Sequence, residues 1–256
     1  AMPLRIETVP CREDNYAYLI HDDATGATAL VDAPESGAIR DAMSRLGWRL
    51  DMILLTHHHQ DHVAGLADLV AETSARVIGA AEDAHRLPPL DRSVRDGDEI
   101  EVCGEGAMVI AVPGHTVGHI AFHFPASGAA FTADSLMALG CGRLFEGTPE
   151  MMWQSLSRLA ELPAPTRIYS GHEYTANNAR FALSIDPSNP SLMSRSKVID
   201  ALRAAGAATV PTTLSEEIET NPFLRPGDST IRQGLGMRDV SDTEVFAEIR
   251  RRKDRF

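Results

Sequence analysis

The segment Ile53–Leu66 reads ILLTHHHQDHVAGL and crowds His57, His58, His59, Asp61 and His62 into six positions. Imidazole is the commonest side-chain metal ligand. A packed interior does not accept so many polar rings without partners, and Lys or Glu would serve solubility better. The string therefore predicts a metal site. His57 and His59 follow the strand-like run MILLT. In extended chain, residues two apart point the same way, so both rings can meet one ion while His58 points elsewhere. Asp61 and His62 come as the chain turns toward a helix and can reach a second ion. Three more candidates end β-type runs at turn-rich spots: His115 in VPGHTVGH, Asp134 in FTADS and His172 in YSGHE. Two ions at four-fold coordination need roughly eight ligands, water included. The expected division is His57, His59 and His115 on one ion and Asp61, His62 and His172 on the other, with Asp134 bridging. Taken alone, His115 or His172 reads as a hydrogen-bonded structural histidine and Asp134 as a turn former. The H-x-H-x-D-H spacing is what favours metal. His21, His85 and His123 read as surface or strand residues. His119 either supports the ligands from behind or is structural.

Two divalent ions side by side lower the pKa of a shared water and supply hydroxide near neutral pH. An ion can also polarise a carbonyl and stabilise the oxyanion formed on attack. Such a centre suits thioesters, because a thiol with a pKa near roughly 8.5 leaves as thiolate without a proton donor. The sequence offers no separate general acid and no G-x-S-x-G nucleophile. Asp61 and Asp134 are the candidate catalytic carboxylates. Sites of imidazole and carboxylate accept zinc, iron or manganese; zinc is the expected occupant.

Short β-branched or aromatic runs bounded by turn residues position these side chains. LRIETV, YAYLI, TALVDA, DMILLT, ARVIGA, DEIEV, AMVIAV, IAFHF, AAFTA and TRIYSG predict strands. SGAIRDAMSRLG, HVAGLADLVAETSA and PEMMWQSLSRLAEL have helical spacing. After Gly171 the texture turns helical, with TANNARFALSI, LMSRSKVIDALRAAG and DTEVFAEIRRRK joined by Pro-bearing segments. Two domains are expected, residues 1–173 and 174–256. The length of 256 residues suits one large domain or one with an appendage.

The formal net charge of −12 argues against binding duplex nucleic acid or an anionic membrane. Three cysteines without a C-x-x-C pair predict a reduced compartment, the cytoplasm. The first twenty residues lack a basic start followed by an apolar run, so no signal peptide is expected. A monomer is expected.

THHHQDH, with the later GHTVGH, ADS and GHE, resembles the metallo-β-lactamase superfamily. DNYAYLI, GCGRLFEGTPEMMWQSL, GHEYTANNARFAL, NPFLR and RRRKDRF are similar to glyoxalase II, the hydroxyacylglutathione hydrolases. The resemblance implies an α/β fold, a four-layer αβ/βα sandwich carrying a binuclear site, with a C-terminal helical domain completing the substrate pocket. The family's ligands fall on the same seven residues that spacing selects. The implied substrate is S-D-lactoylglutathione, giving D-lactate and glutathione. The family's glutathione-binding positions match Arg143, Arg250 and Lys253. Tyr174 offers a hydroxyl and Asn178 a polar contact. Phe145 stands where some members carry Tyr, and Ala133-Asp134-Ser135 stands where GDT is common. Without the resemblance, RRRKDR would read as a solvated charged helix end.

Other readings on the same scaffold are a persulfide dioxygenase with a single iron, a nucleic-acid hydrolase, a true class B β-lactamase and a non-catalytic metal module. The helical tail with KDRF opposes the first and the acidic charge the second. His62 opposes the third, and the full ligand set the fourth.

Overall fold

The computed structural model describes residues 2–256. The chain forms two compact units: the first runs to Ala111 and includes Gly118–Phe131, and the second is Val112–Val117 with Thr132–Phe256.

The first unit opens with β1 (Arg5–Cys11), β2 (Asn15–His21), β3 (Thr28–Val31), α1 (Ser36–Leu46), β4 (Met52–Leu54), α2 (Gln60–Val63), α3 (Leu66–Thr73), β5 (Arg76–Ala80) and β6 (Arg92–Val94). The six strands make one sheet in chain order. It is antiparallel from β1 to β3 and parallel from β3 to β6. Every residue of β2 and β3 is buried, as strands covered on both faces require. Leu19, Leu30, Ile53, Leu66, Leu69 and Val77 belong to one apolar core. Val31 pairs with Leu54 and Leu54 with Ile78, so β3 and β4 end level. Asp32 and the run Leu55-Thr56-His57 therefore emerge at one sheet edge, the carboxyl end of parallel strands where α/β folds carry their sites. β7 (Glu99–Val102), β8 (Glu105–Ala111), β9 (Ile120–Phe124) and β10 (Ala129–Ala133) follow as an antiparallel meander.

The helix expected over residues 62–75 is two helices, α2 and α3. The break has a steric cause. Ala33 N donates to His62 O at 2.8 Å and Gly65 N to Ala33 O at 2.9 Å, which pins the turn against the chain leaving β3. A Cβ at Gly65 would lie 2.5 Å from the Glu35 carbonyl carbon. Only glycine permits that approach.

The second unit carries the hairpin β11 (Leu136–Met137) and β12 (Gly140–Cys141), then α4 (Pro149–Ala160), β13 (Arg167–Ser170), α5 (Thr175–Ile185), α6 (Pro190–Ala204), β14 (Thr212–Thr213), α7 (Leu214–Thr220), α8 (Ser229–Leu235) and α9 (Asp242–Asp254). β13 and β14 pair antiparallel. Helix starts follow local chemistry. Thr148 caps α4 and Asn189 caps α6, each with Pro in the first turn. Ser241 and Glu244 close a capping box on α9. Val245, Phe246 and Ile249 of α9 are fully buried, and the Phe246 ring lies 5.7 Å from that of Phe223. No helix among the described residues is long and apolar enough to cross a membrane.

Candidate metal centre

In the first unit the imidazoles are set by Asp32, a residue that motif spacing does not single out. Asp32 is buried and takes φ +60° just past β3. Its Oδ1 accepts from Thr56 N at 2.9 Å and its Oδ2 from Thr56 Oγ1 at 2.7 Å. The same Oδ2 lies 2.8 Å from His62 Nδ1. His57 Nδ1 lies 2.9 Å from Thr56 Oγ1, whose proton already goes to Asp32. The network therefore assigns the proton of both rings to Nδ1 and leaves each Nε2 with a lone pair for a metal. The His57 ring lies 4.2 Å from that of His62 and 4.9 Å from that of His59. His119, fully buried, stacks on His57 at 4.5 Å. Asp61 is fixed by Asn15, whose Nδ2 donates to Asp61 Oδ2 at 3.0 Å and to Asp61 O at 3.1 Å; that carboxylate oxygen lies 3.5 Å from His62 Nε2. His58 turns aside, its Nδ1 3.9 Å from Asp83 Oδ2.

In the second unit two rings converge on one carboxylate. Asp134 Oδ2 lies 3.2 Å from His172 Nε2 and 3.4 Å from His115 Nε2, and all three residues are buried. His115 Nδ1 donates to Arg143 O at 2.7 Å, so its Nε2 also carries a lone pair. Ala133, just before Asp134, holds φ +43°, the region where glycine is the easy choice. The donors of both clusters are imidazole nitrogen and carboxylate oxygen without thiolate, a set that fits a divalent ion of the zinc, iron or manganese kind.

The residues expected at the substrate fall into two groups. Phe145 is 63% exposed and sits edge-on to His115 at 5.3 Å; Tyr174 is 41% exposed and stacks on His172 at 4.6 Å. Arg143 is open to solvent, its Nε 3.6 Å from Asp254 Oδ1. Lys253 is half-buried with Nζ 5.9 Å above the Phe181 ring. Burial, then repulsion from Arg250, holds its pKa below the ordinary lysine value. Asn178 and Arg250 are different, with exposures of only 6% and 5%. Asn178 Nδ2 donates to Ala138 O at 3.1 Å. Arg250 Nη1 donates to Cys141 O at 2.7 Å, its Nη2 pairs with Asp254 at 2.8 Å, and its guanidinium lies 5.2 Å above Phe223. Arg250 and Lys253 share a helix but not an environment.

Cys11, Cys103 and Cys141 are free thiols. Burial pushes the Cys11 and Cys103 pKa values up to about 12. Neither is a reactive nucleophile near neutral pH.

Comparison with known proteins agrees with this geometry. Residues 12–172 match the family model described as metallo-beta-lactamase superfamily, and residues 173–256 the model described as hydroxyacylglutathione hydrolase C-terminus. The hydroxyacylglutathione hydrolase of Cereibacter sphaeroides is 61% identical over 255 residues, covering 100% of both chains. Among solved structures, ETHE1 from Myxococcus xanthus superposes with a TM-score of 0.69 at 27% identity, covering 98% of this chain and 90% of that one. TTHA1623 in a di-iron-bound form superposes with a TM-score of 0.63 at 25% identity, covering 88% of this chain and 100% of that one. An α/β metallo-β-lactamase fold followed by this C-terminal segment, matched end to end at such identity, places the chain in the hydroxyacylglutathione hydrolase family of the metallo-β-lactamase superfamily.

Proposed function

We propose that this protein hydrolyses the thioester of S-D-lactoylglutathione, releasing D-lactate and glutathione, and so acts in methylglyoxal detoxification. The observation that carries the reading is the meeting of His115 Nε2 and His172 Nε2 at one oxygen of buried Asp134, with exposed aromatics flanking both rings. Two imidazole nitrogens converging on one buried carboxylate oxygen, with the Nδ1 proton of His115 already given to Arg143 O, make the nitrogen-and-oxygen donor set that a divalent ion takes. His57, His59 and His115 are assigned to one ion, Asp61, His62 and His172 to the other, and Asp134 to both. What supports joining the two clusters is the family pattern and the H-x-H-x-D-H spacing.

When bound, the ions supply a water of lowered pKa and Lewis-acid polarisation of the thioester carbonyl. The chain's own part is orientation. Asp32 and Thr56 hold His57 and His62 in the tautomer that presents Nε2, and Asn15 leaves Asp61 its second oxygen. Asp61 and Asp134 supply the negative charge that stabilises two neighbouring cations. Phe145 and Tyr174 offer apolar faces to the acyl and thiol parts, and the Tyr174 hydroxyl a polar contact. Arg143 and Lys253 attract a glutathione carboxylate, with Arg250 and Asn178 behind them. The thiolate leaves unprotonated, which suits a site without a dedicated acid. Zinc is the proposed metal, with iron or manganese as substitutes in the same donor set. The protein is proposed to work as a monomer in the cytoplasm, where its three thiols stay reduced.

His172→Ala tests the assignment. One ion should be lost preferentially and turnover should fall at least 100-fold, in line with loss of a group acting at the transition state (~2.7 kcal/mol or more), while circular dichroism stays native. His58→Ala should change neither metal content nor rate. Two tightly held ions in the His172 variant, by elemental analysis, would overturn the ligand set.

A further inference from the structure

The hairpin β11–β12 is too short to satisfy its own backbone. Each of its strands has two residues, and residues 136–142 are all buried. Buried backbone groups need partners, and here helical-segment side chains provide them in succession. Asn221 Nδ2 donates to Met137 O at 3.2 Å and to Gly140 O at 3.1 Å. Asn178 Nδ2 donates to Ala138 O. Glu217 Oε1 accepts from Leu139 N at 2.7 Å, where Leu139 holds φ +57°. Arg250 Nη1 donates to Cys141 O at 2.7 Å and Gly142 O at 3.4 Å. Every residue from Met137 to Gly142 thus has a backbone group held by a buried side chain of α5, α7, α9 or the turn after α7. The clamp is itself braced: Glu217 and Asn221 are fully buried, and Arg195 pairs with Glu217 Oε2 at 2.5 Å.

Both ends of this hairpin belong to the metal cluster of the second unit. Asp134 lies two residues before it, and Gly142 N closes back on Ser135 O at 3.1 Å. Arg143, next in the chain, receives the Nδ1 proton of His115 at its carbonyl. A Cβ at Gly142 would lie 2.9 Å from His115 Nδ1, so no slack separates hairpin and ring. The hairpin's position therefore sets where Asp134 Oδ2 and His115 Nε2 meet.

We propose that Asn221, with Glu217 and Asn178, is a positioning residue for metal binding: through the β11–β12 hairpin it holds Asp134 and His115 at the spacing a bridged ion requires. The role of the C-terminal helices then extends beyond contacting substrate to holding metal ligands that precede them in the chain. This inference rests on the metal reading of the previous section. Outer partners of metal ligands are worth about 10- to 100-fold in affinity, and the clamp acts on two ligands at once.

The test is zinc affinity by chelator competition on the full-length protein, without substrate. Asn221→Ala should weaken zinc binding by about 10- to 100-fold, and Asn178→Ala by a smaller factor, with native circular dichroism. Should Asn221→Ala fail to fold, Asn178→Ala decides, because alanine is favourable inside α5. Ile231→Ala is the control: it removes a fully buried side chain of α8 and lowers thermal stability without removing a hairpin hydrogen bond, and zinc affinity should stay at the wild-type level. Equal zinc affinity in wild type and the folded Asn variants would overturn the proposal while leaving the metal reading intact, as would an Ile231→Ala defect as large as theirs. A wild type that takes up no zinc would overturn the metal reading and this inference together.

Discussion

Asp32 shows most clearly what a single residue does here. One carboxylate sets the protonation of two imidazoles, directly at His62 and through Thr56 at His57. Asp32→Ala leaves both rings free to choose the other tautomer and should weaken metal binding by about 10- to 100-fold; chelator competition on a variant with native circular dichroism checks this. H-x-H-x-D-H is a local pattern and marks His57, His59, Asp61 and His62, while His115, Asp134 and His172 are marked by their place at strand ends. The local pattern does not point to Asp32, whose partner His62 lies thirty residues on. Its signal was the one used for Asp134, an aspartate at a strand end, and a turn former looks the same. Asn15, in the family-like stretch DNYAYLI, reaches Asp61 from 46 residues away, and no local pattern marks that contact. Within the second unit, Lys253 and Arg250 part company for a reason that helix periodicity hides: i and i+3 share a face, but one is half-buried and the other is locked to Cys141 O. Lys253→Ala should therefore raise KM for lactoylglutathione more than it lowers kcat. The wild-type KM should itself rise with pH. Burial disfavours the charged form, so the ammonium is lost below the ordinary lysine range and the anion loses its partner. Lys253→Arg should flatten that rise. A KM independent of pH in the alkaline limb, or unchanged in Lys253→Ala, would return this side chain to the solvated helix end.

At the scale of elements, all ten expected strands are present, because alternating or fully buried β-branched runs are strong signals. The elements that escaped are short: β6, β11, β12, β14, α7 and α8 span two to seven residues each, too few for a period to register. The break between α2 and α3 was equally hidden, because Gly65 inside a helical pattern is ordinarily tolerated. Its cause is the backbone of Glu35, remote in sequence. Gly65→Ala should destabilise by about 1–3 kcal/mol, the usual range for forcing atoms into filled space, seen as a lowered Tm. It should also weaken metal binding, because the displaced turn carries His62. Gly37→Ala is the matching control: nothing lies within 4 Å of its added Cβ, and inside α1 alanine is preferred to glycine by up to about 1 kcal/mol. Equal stabilities for the two variants would contradict the steric account.

For the whole molecule, charge and chain division qualify the sequence reading. The net charge of −12 repels an anionic thiol ester at long range, so binding depends on local cations. The cations proposed for this role are the exposed Arg143 and the half-buried Lys253, while Arg250 is committed inside. Texture changes near Gly171 and the family models meet at residues 172 and 173, yet contacts group Thr132–Phe256 together. The hairpin explains this: Met137–Gly142 takes its hydrogen bonds from Asn178, Glu217, Asn221 and Arg250. No composition window reports such a tie between segments far apart in sequence. Metal-dependent thioester hydrolysis is checked by following free thiol release from S-D-lactoylglutathione with metal content and oxygen consumption measured on the same sample. Such a hydrolase gives thiol release that tracks bound divalent metal, stops with a chelator, returns on metal addition and consumes no oxygen. Thiol release that survives complete metal removal, or none at all beside oxygen uptake driven by glutathione persulfide, would contradict it.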